Sequence, residues 1–233
     1  MKLVMPMAGL GSRFYKNDIN IPKPIIDVKG MPMFVQAEKC IGLDFDQHIF
    51  ITRKEHNLSA YIYKWYPNAI VKELDYLTQG TACTLLTVQE FLKDDSFLIC
   101  NCDQYAIGDS QKFKALLDDS TTDACIALFE DLEKNPKWSF AKIENENIIQ
   151  IAEKVPISKW ATVGWYYWKD GKEFINCAEE MIAKNDRVNN EFYACPVYNY
   201  LIQDKTKNVR PFFVQEMYGM GTPEDLEIFL NKC

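Results

Sequence analysis

The chain has 233 residues, 48% of them hydrophobic, and a formal net charge of −7 at pH 7. This length supports one substantial core, or a core with a small added lobe. The acidic balance argues against nucleic acid as the main partner, because phosphate backbones are bound by clustered Lys and Arg.

The first half of the chain alternates between two kinds of segment. Apolar runs predict strands at 2–7, 47–52, 69–74 and 96–101, and amphipathic runs predict helices at 31–42, 57–66 and 81–93. The strand runs are almost continuously apolar, which is typical of a parallel sheet covered on both faces. The alternation predicts an α/β fold with a doubly wound, mostly parallel sheet.

The second half has a different pattern. Strand-like runs follow one another with short turns at 123–130, 139–144, 147–153 and 161–168. Since little room is left for helices between them, we expect an antiparallel extension of the sheet in this half. Helices are expected again at about 172–184, 193–203 and 222–232. No repeat or Pro/Gly-rich linker is present, so we expect a single domain over 1–233.

The sequence also narrows the environment of the protein. It shows no secretory signal and no run of about 18 apolar residues, so we expect a cytoplasmic protein without a membrane partner. Without an export signal, its eight cysteines are interpreted as reduced, mostly buried thiols. Two histidines and no Cys-x-x-Cys pair argue against a zinc site.

A glycine-rich loop, Gly9-Leu10-Gly11-Ser12-Arg13, follows the first predicted strand. Ligands of open α/β sheets lie at the carboxyl ends of the strands, so a phosphate is expected there. Glycines allow backbone N–H groups to surround an anion, and Arg13 adds a fixed charge. The loop is not a dinucleotide fingerprint, because Phe14 replaces the third glycine, and it is not a Walker loop. An ordinary glycine turn is the alternative.

A second basic element is Pro22-Lys23-Pro24. A lysine between two prolines is predicted to lie on a stiff, extended backbone. This placement would restrict the Lys23 ammonium to a small volume, which suits binding of a phosphate in a transition state.

Together these two elements resemble the opening of the sugar-phosphate nucleotidyltransferases, also called nucleoside-diphosphate-sugar pyrophosphorylases. Further segments resemble this family in its own order, up to about residue 230. They are Gln79-Gly80-Thr81-Ala82, Asn101-Cys102-Asp103, Glu153-Lys154-Val155-Pro156, Val163-Gly164-Trp165-Tyr166, Asn190-Glu191-Phe192-Tyr193 and Gly221-Thr222-Pro223-Glu224-Asp225-Leu226. No single motif is specific, but the ordered set is.

The resemblance implies a Rossmann-like, GT-A-type nucleotidyltransferase fold. It divides the domain into a nucleotide-binding half, about 1–110, and an acceptor-binding half, about 111–233. The implied reaction joins the NMP unit of an NTP to a small phosphate monoester and releases pyrophosphate. An already ionised acceptor phosphate needs no general base, so the protein must position two anions and neutralise their repulsion.

The resemblance also implies roles for individual residues. The catalytic residues would be Arg13, Lys23 and Asp103. The nucleotide would be bound by Met7, Ala8, Gly9, Gly11, Ser12, Arg13, Lys23, Thr78, Gln79, Gly80, Thr81 and Asn101. The acceptor would be bound by Ser139, Glu153, Lys154, Gly164 and Glu191. The cofactor would be Mg²⁺, held by Asp103.

Several of these residues also have plainer interpretations. Asp103 could be a turn residue at a strand end, and Lys154 a solvated lysine beside Glu153. Glu191 could be an ordinary first-turn carboxylate, favoured by the helix dipole. Gln79 could face solvent.

The sequence departs from the family pattern at two informative positions. Gly219 stands where the family has a second metal-binding aspartate, so the metal would gain water there, or a substitute carboxylate from Glu216 or Asp225. Asp225 itself is interpreted as an ordinary first-turn carboxylate. Ser139 stands where the family has a glycine near the sugar ring.

These departures leave the acceptor open. The favoured acceptor is a sugar 1-phosphate, in precursor synthesis for a surface glycan such as capsule or lipopolysaccharide. One alternative is a cytidylyltransferase acting on a non-sugar phosphate, such as phosphocholine, a phosphorylated amino acid or a polyol phosphate. The other is a catalytically weak paralogue that binds a nucleotide and regulates a partner. The sequence does not identify the base, and a homo-oligomer is left open.

Overall fold

The fold is described from a computed structural model, which covers residues 1–11, 14 and 21–232. Thirteen strands lie in these residues: β1 (Lys2–Met7), β2 (Asp27–Val28), β3 (Met31–Pro32), β4 (Gln47–Arg53), β5 (Ile70–Leu74), β6 (Phe97–Cys100), β7 (Gln104–Ile107), β8 (Ala124–Glu130), β9 (Ser139–Glu144), β10 (Asn147–Glu153), β11 (Trp160–Trp168), β12 (Val209–Phe213) and β13 (Glu216–Gly219).

The helices pack on both faces of the sheet. In the same described residues they are α1 (Met33–Lys39), α2 (Ser59–Trp65), α3 (Thr81–Leu86), α4 (Gln89–Leu92), α5 (Ser110–Asp118), α6 (Gly171–Ala183), α7 (Tyr198–Gln203) and α8 (Pro223–Lys232). Short 3₁₀ turns lie at Lys23–Ile25, Lys54–His56 and Cys195–Val197.

The main sheet has a parallel part and an antiparallel part. Its nine strands include the path β10-β9-β11-β6-β1-β4-β5, while β8 pairs with β11 and β12. Strands β6, β1, β4 and β5 pair in parallel. Strand β11 runs antiparallel to β6, β8 and β9, and β10 runs antiparallel to β9. The predicted α/β class, with its parallel sheet and antiparallel extension, is confirmed.

Burial on both sides of the sheet explains the continuous apolar runs. Successive strand side chains face opposite sides of a sheet. In β1, Leu3 and Met5 join one buried cluster, whereas Val4 joins another. Every residue of β6 is buried. A polar residue at any of these positions would therefore have to be buried on one face or the other.

Several elements differ from the sequence-based predictions. The predicted helix 81–93 is two helices, α3 and α4, which are separated at Thr87 and Val88. The helix α5 and the strands β2, β3, β7, β12 and β13 were not predicted. Strand β12 contains a proline, and β7 and β13 are four-residue strands that pair only with each other.

The predicted extended backbone at Lys23 is also wrong. Pro22 is extended, with φ −56° and ψ 130°, but Lys23 begins the 3₁₀ turn Lys23–Ile25. The Ile26 N–H donates to the Lys23 carbonyl at 3.2 Å, which closes the turn. Pro22 and Pro24 still restrict the backbone on either side of Lys23, but the conformation that they restrict is a turn.

The seven cysteines that the structure describes are free thiols. Cys100 and Cys102 lie in the same buried cluster. Burial raises the pKa of Cys102 to about 11 and that of Cys100 well above its usual value. These two thiols are therefore protonated, apolar packing groups at neutral pH. Within the described ranges, no helix has both the length and the apolar character needed to cross a bilayer.

The first residue of α6 offers a test of this packing. A Cβ added at Gly171 would lie 1.9 Å from the backbone oxygen of Leu92, at the end of α4. Because backbone cannot rotate away as a side chain can, Gly171→Ala should separate α4 from α6 and lower the free energy of unfolding by about 2 kcal/mol. Urea denaturation measures this effect.

The matched control for this substitution is Gly108→Ala. Its added Cβ would meet the edge of the Phe212 ring at 3.2 Å, and a side chain can yield there. Equal unfolding midpoints for the two variants would contradict the described contact between α4 and α6.

Candidate active site

Two adjoining cavities open near the carboxyl ends of β1 and β6. The first, here the glycine-loop cavity, has a volume of about 550 Å³ and is lined by Met7–Gly11 and Leu77–Thr81. The second, here the Glu153 cavity, has a volume of about 480 Å³ and is lined by residues of both halves of the chain. The residues that line both cavities are Pro6, Lys23, Thr81, Cys102 and Glu191.

The glycine-loop cavity contains most of the predicted nucleotide-binding residues. Its backbone turns sharply at Gly11, where φ is +63°. Such turns let several backbone N–H groups face one point, which suits an anion. The predicted residues that line it are Met7, Ala8, Gly9, Gly11, Lys23, Thr78, Gln79, Gly80 and Thr81. Ser12 and Arg13 lie outside the described residues.

The far wall of this cavity is fixed to a distant part of the chain. Phe192 donates its N–H to the Gln79 carbonyl at 2.8 Å and accepts from the Ala82 N–H at 2.9 Å. Gly80, between them, has φ +130°, and a Cβ there would lie 2.4 Å from the Phe192 carbonyl oxygen. Only glycine fits both this backbone conformation and this approach. The wall is therefore held in one position before any ligand binds.

An ion pair lies where the two cavities meet. The Lys23 ammonium donates to an Asp103 carboxylate oxygen at 2.6 Å, and each side chain is 22% exposed. Asp103 follows β6, and its carbonyl accepts from the Met220 N–H at 2.7 Å. The predicted catalytic lysine and metal-binding aspartate are thus in direct contact.

The floor of the Glu153 cavity contains a buried carboxyl group. Glu153, at the end of β10, is 7% exposed and accepts a short hydrogen bond from the Ser139 hydroxyl on β9. Burial raises the pKa of this carboxyl group and Glu191 raises it further, whereas Ser139 and Lys154 act in the opposite direction. A hydrogen-bond donor of a ligand, such as a hydroxyl group, can therefore donate a strong hydrogen bond to the Glu153 carboxyl group.

Lys154 reaches into the same cavity from a rare backbone conformation, with φ +57°. Its ammonium donates to the Tyr193 hydroxyl at 2.6 Å and lies 4.4 Å from the centre of that ring. Four predicted acceptor-binding residues line this cavity, namely Ser139, Glu153, Lys154 and Glu191. Tyr193 was not predicted as a site residue, although it ends the Asn190–Tyr193 motif.

Two predicted site residues lie elsewhere. Asn101 lines the Glu153 cavity and not the glycine-loop cavity, and its amide donates to Gln104 Oε1 at 3.1 Å. Gly164 lines neither cavity; a Cβ there would lie 1.7 Å from Gln104 Oε1 and 2.6 Å from Asn101 Nδ2. Gly164 therefore packs behind the hydrogen-bonded side chains of Asn101 and Gln104. Strand β11 can approach these two side chains only because Gly164 has no side chain of its own.

Asp225 lies nearer to the site than the sequence indicated. It is in the first turn of α8, as expected, but it also lines the Glu153 cavity together with Asp103. A Cβ at Gly219 would lie 3.6 Å from Asp225 Oδ2, so this carboxylate stands beside the position where the family has an aspartate. It accepts from the Lys137 ammonium at 2.8 Å. Glu216, the other predicted substitute, lines neither cavity.

Sequence reasoning missed several other residues that line the Glu153 cavity: Gln104, Lys137, Trp138, Thr162, Tyr166 and Cys195. Five of them lie in a strand or within two residues of one, and Cys195 begins a 3₁₀ turn. In the described part of the chain, no group of three or more His, Cys, Asp or Glu side chains could by itself hold a metal ion.

A glycine-rich loop after the first parallel strand, opening into a cavity of ligand size, is typical of an α/β protein that binds a small molecule. Comparison with known protein families identifies the class of this protein more narrowly. The chain belongs to the nucleotidyl transferase family, whose sequence model matches residues 3–226. It is therefore a nucleotidyltransferase.

Solved structures share the whole architecture. A nucleoside-diphosphate-sugar pyrophosphorylase from Vibrio cholerae is 25% identical, with a TM-score of 0.83 over 99% of this chain and 100% of that one. A putative glucose-1-phosphate thymidylyltransferase from Bacillus anthracis is 21% identical (TM-score 0.82, 99% and 94% covered). The inositol-1-phosphate CTP transferase from T. maritima is 12% identical (TM-score 0.74, 99% and 96% covered). No curated protein shows a significant sequence match.

The buried carboxyl group generates a prediction about pH. Because the folded pKa of Glu153 is raised above its ordinary value of 4.5, the folded state binds this proton more tightly than the unfolded state. The stability contributed by the site is therefore present at low pH and is lost as pH rises through the raised pKa. Glu153→Gln lacks this loss, so its free energy of unfolding should rise relative to that of the wild type between pH 4 and pH 7.

Urea denaturation at both pH values checks this prediction. Glu133→Gln, at an exposed position, is the matched control and should show no such gain. A Glu153→Gln variant that loses stability relative to the wild type as pH rises would show that the carboxylate is better solvated than its burial indicates.

Proposed function

We propose that this nucleotidyltransferase joins the NMP unit of an NTP to a small phosphate monoester, preferably a sugar 1-phosphate, and releases pyrophosphate. The observation that carries the proposal is the meeting of two cavities at the Lys23–Asp103 pair. The NTP would occupy the glycine-loop cavity, and the acceptor would occupy the Glu153 cavity. Both substrates would then present phosphate groups to the junction.

The proposed chemistry follows from these positions. An acceptor phosphate oxygen attacks the α-phosphorus in line, the bond from that phosphorus to the bridging oxygen breaks, and pyrophosphate leaves. In this proposal, Lys23 would stabilise the charge that builds up on the α-phosphate, and Lys154 would bind the acceptor phosphate. Orientation and charge neutralisation then account for the rate acceleration.

The proposal includes a divalent cation, Mg²⁺. Carboxylate donors suit this hard ion, which keeps several waters and also takes phosphate oxygens. Asp103 and Asp225 would hold it, since both line the Glu153 cavity. When bound, the ion neutralises charge on the triphosphate. Asp103 would exchange its contact with Lys23 for this role, leaving the ammonium available to a phosphate.

Two observations support the preference for a sugar acceptor. The relative from Vibrio cholerae carries a nucleoside-diphosphate-sugar name, and the Glu153 floor can accept hydrogen bonds from hydroxyl groups. A role in surface-glycan precursor synthesis is part of this proposal. Ser139 favours the second candidate, a non-sugar phosphate acceptor, because its hydroxyl is bound to Glu153 at a position where the family has glycine.

The division of the domain is also a proposal. Residues about 1–110 would bind the nucleotide and residues about 111–233 the acceptor. Asn190 and Glu191 cross this division, because they belong to the second half and line the glycine-loop cavity. We further propose a cytoplasmic location, where NTPs are available.

A pyrophosphate-release assay tests the function directly. Five nucleoside triphosphates would be screened against sugar 1-phosphates, phosphocholine and polyol phosphates in the presence of Mg²⁺. We expect release with at least one pair, and none when the acceptor is omitted. The acceptor that supports turnover decides between the sugar and non-sugar candidates. Absence of release from every pair would contradict the proposed function.

The role of Lys23 is tested by Lys23→Ala. If its ammonium stabilises charge that develops at the α-phosphate, turnover should fall by about 10² with little change in the KM for the nucleotide. Lys54→Ala is the matched control, because Lys54 also begins a 3₁₀ turn but is exposed. Turnover close to that of the wild type in Lys23→Ala would remove Lys23 from the catalytic site.

A further inference from the structure

Lys137 is bound to one of the two carboxylates that are proposed to hold Mg²⁺. It lies between β8 and β9, and its ammonium donates to Asp225 Oδ1 at 2.8 Å. The same ammonium lies 4.6 Å from the centre of the Trp138 ring, and the Lys137 backbone N–H donates to Asn135 Oδ1 at 3.0 Å. The turn at Asn135 and the ring therefore both place this cation beside Asp225.

Asp225 has supports of its own and does not need Lys137 to stay in place. It lies in the first turn of α8, where the helix dipole favours a carboxylate, and its N–H donates to the Thr222 hydroxyl at 3.1 Å. The Asp225 side chain is 21% exposed, whereas that of Lys137 is 41% exposed. The lysine is therefore the partner that can move into solvent, while the carboxylate remains at the Glu153 cavity.

Asp103, the other carboxylate of the proposed metal site, has the same kind of partner. It accepts from a lysine ammonium at 2.6 Å. Its backbone carbonyl accepts from the Met220 N–H at 2.7 Å, and a Cβ at the preceding residue, Gly219, would lie 3.6 Å from Asp225 Oδ2. The two carboxylates thus line one cavity beside the same short segment, and an ammonium group is bound to each.

An ammonium group and a divalent cation compete for the same carboxylate oxygens. Mg²⁺ and Mn²⁺ take oxygen ligands, and an ion that approached Asp225 would have to displace the Lys137 ammonium or bind against its repulsion. Either course costs free energy that a bare carboxylate would not require. The positive charge of Lys137 should therefore lower the affinity of the ligand-free protein for a divalent cation.

We propose that Lys137 is a positioning residue that occupies Asp225 as an internal cation, which the divalent metal ion must displace. The inference rests on the proposed function, since that function assigns the metal to Asp103 and Asp225. It adds a residue that sets the affinity for the metal and acts on it through another side chain.

The test measures binding of Mn²⁺ to the nucleotide-free protein, with the unbound ion counted by electron paramagnetic resonance. Lys137→Met keeps an unbranched side chain over Trp138 but removes the charge. Its Kd for Mn²⁺ should be about fivefold lower than that of the wild type. Lys137→Arg keeps the cation and should have about the wild-type Kd. In the pyrophosphate-release assay, Lys137→Met should reach half-maximal rate at a lower Mg²⁺ concentration than the wild type.

Further variants show whether Lys137 acts through Asp225. Asp225→Asn should weaken Mn²⁺ binding, and adding Lys137→Met to it should change the Kd by less than about twofold. The matched control is Lys159→Met. Lys159 also donates to a carboxylate, that of Glu130, and lies 4.8 Å from the centre of the neighbouring Trp160 ring, but it lines neither cavity. Its Kd for Mn²⁺ should equal that of the wild type.

The inference is overturned if Lys137→Met leaves the Kd for Mn²⁺ unchanged or raises it, or if its effect is equally large in the Asp225→Asn background. The Mn²⁺ titrations need neither nucleotide nor acceptor. The expected Kd values without pyrophosphate release from any substrate pair would overturn the proposed function alone. Pyrophosphate release together with an unchanged Kd in Lys137→Met would overturn this inference alone.

Discussion

The contact between Lys23 and Asp103 is the interaction on which the rest of the site depends. It joins a 3₁₀ turn near the start of the chain to the segment after β6, and it places one cation and one anion where the two cavities meet. A reaction between two anions needs its neutralising charges in place beforehand. In the ligand-free protein these two charges neutralise each other, which lowers the cost of holding them half-buried without a substrate.

The sheet explains why these residues can meet. Parallel pairing of β1 with β4 and β6 brings their carboxyl ends to one edge. The small β7–β13 pair then places Gly219 opposite Gln104. One wall of the Glu153 cavity is therefore formed by two segments that lie more than a hundred residues apart in the chain. Asp225 reaches this wall for the same reason, since α8 follows β13 directly.

Local sequence patterns were sufficient for the parts of the fold that depend on local burial. The runs that became β1, β4 and β6 are apolar because both faces are covered, and the glycine loop follows the first of them. Local sequence patterns could not predict the position of a side chain whose neighbours belong to distant segments of the chain. Gly164 was expected at the acceptor but lies behind Asn101 and Gln104. The contact between Lys137 and Asp225 gave no signal at all, because 88 positions separate the two residues.

The close approach of Gly80 to Phe192 means that the shapes of the two cavities cannot change independently. Phe192 is flanked by Glu191 and Tyr193, and both of these line the Glu153 cavity. Any change that displaces the backbone at Gly80 must push on the Phe192 carbonyl and so move its neighbours. With the substrates in the two cavities as proposed, laboratory evolution toward a new nucleotide would have to diversify 77–81 and 190–193 together, with selection on both substrates at once.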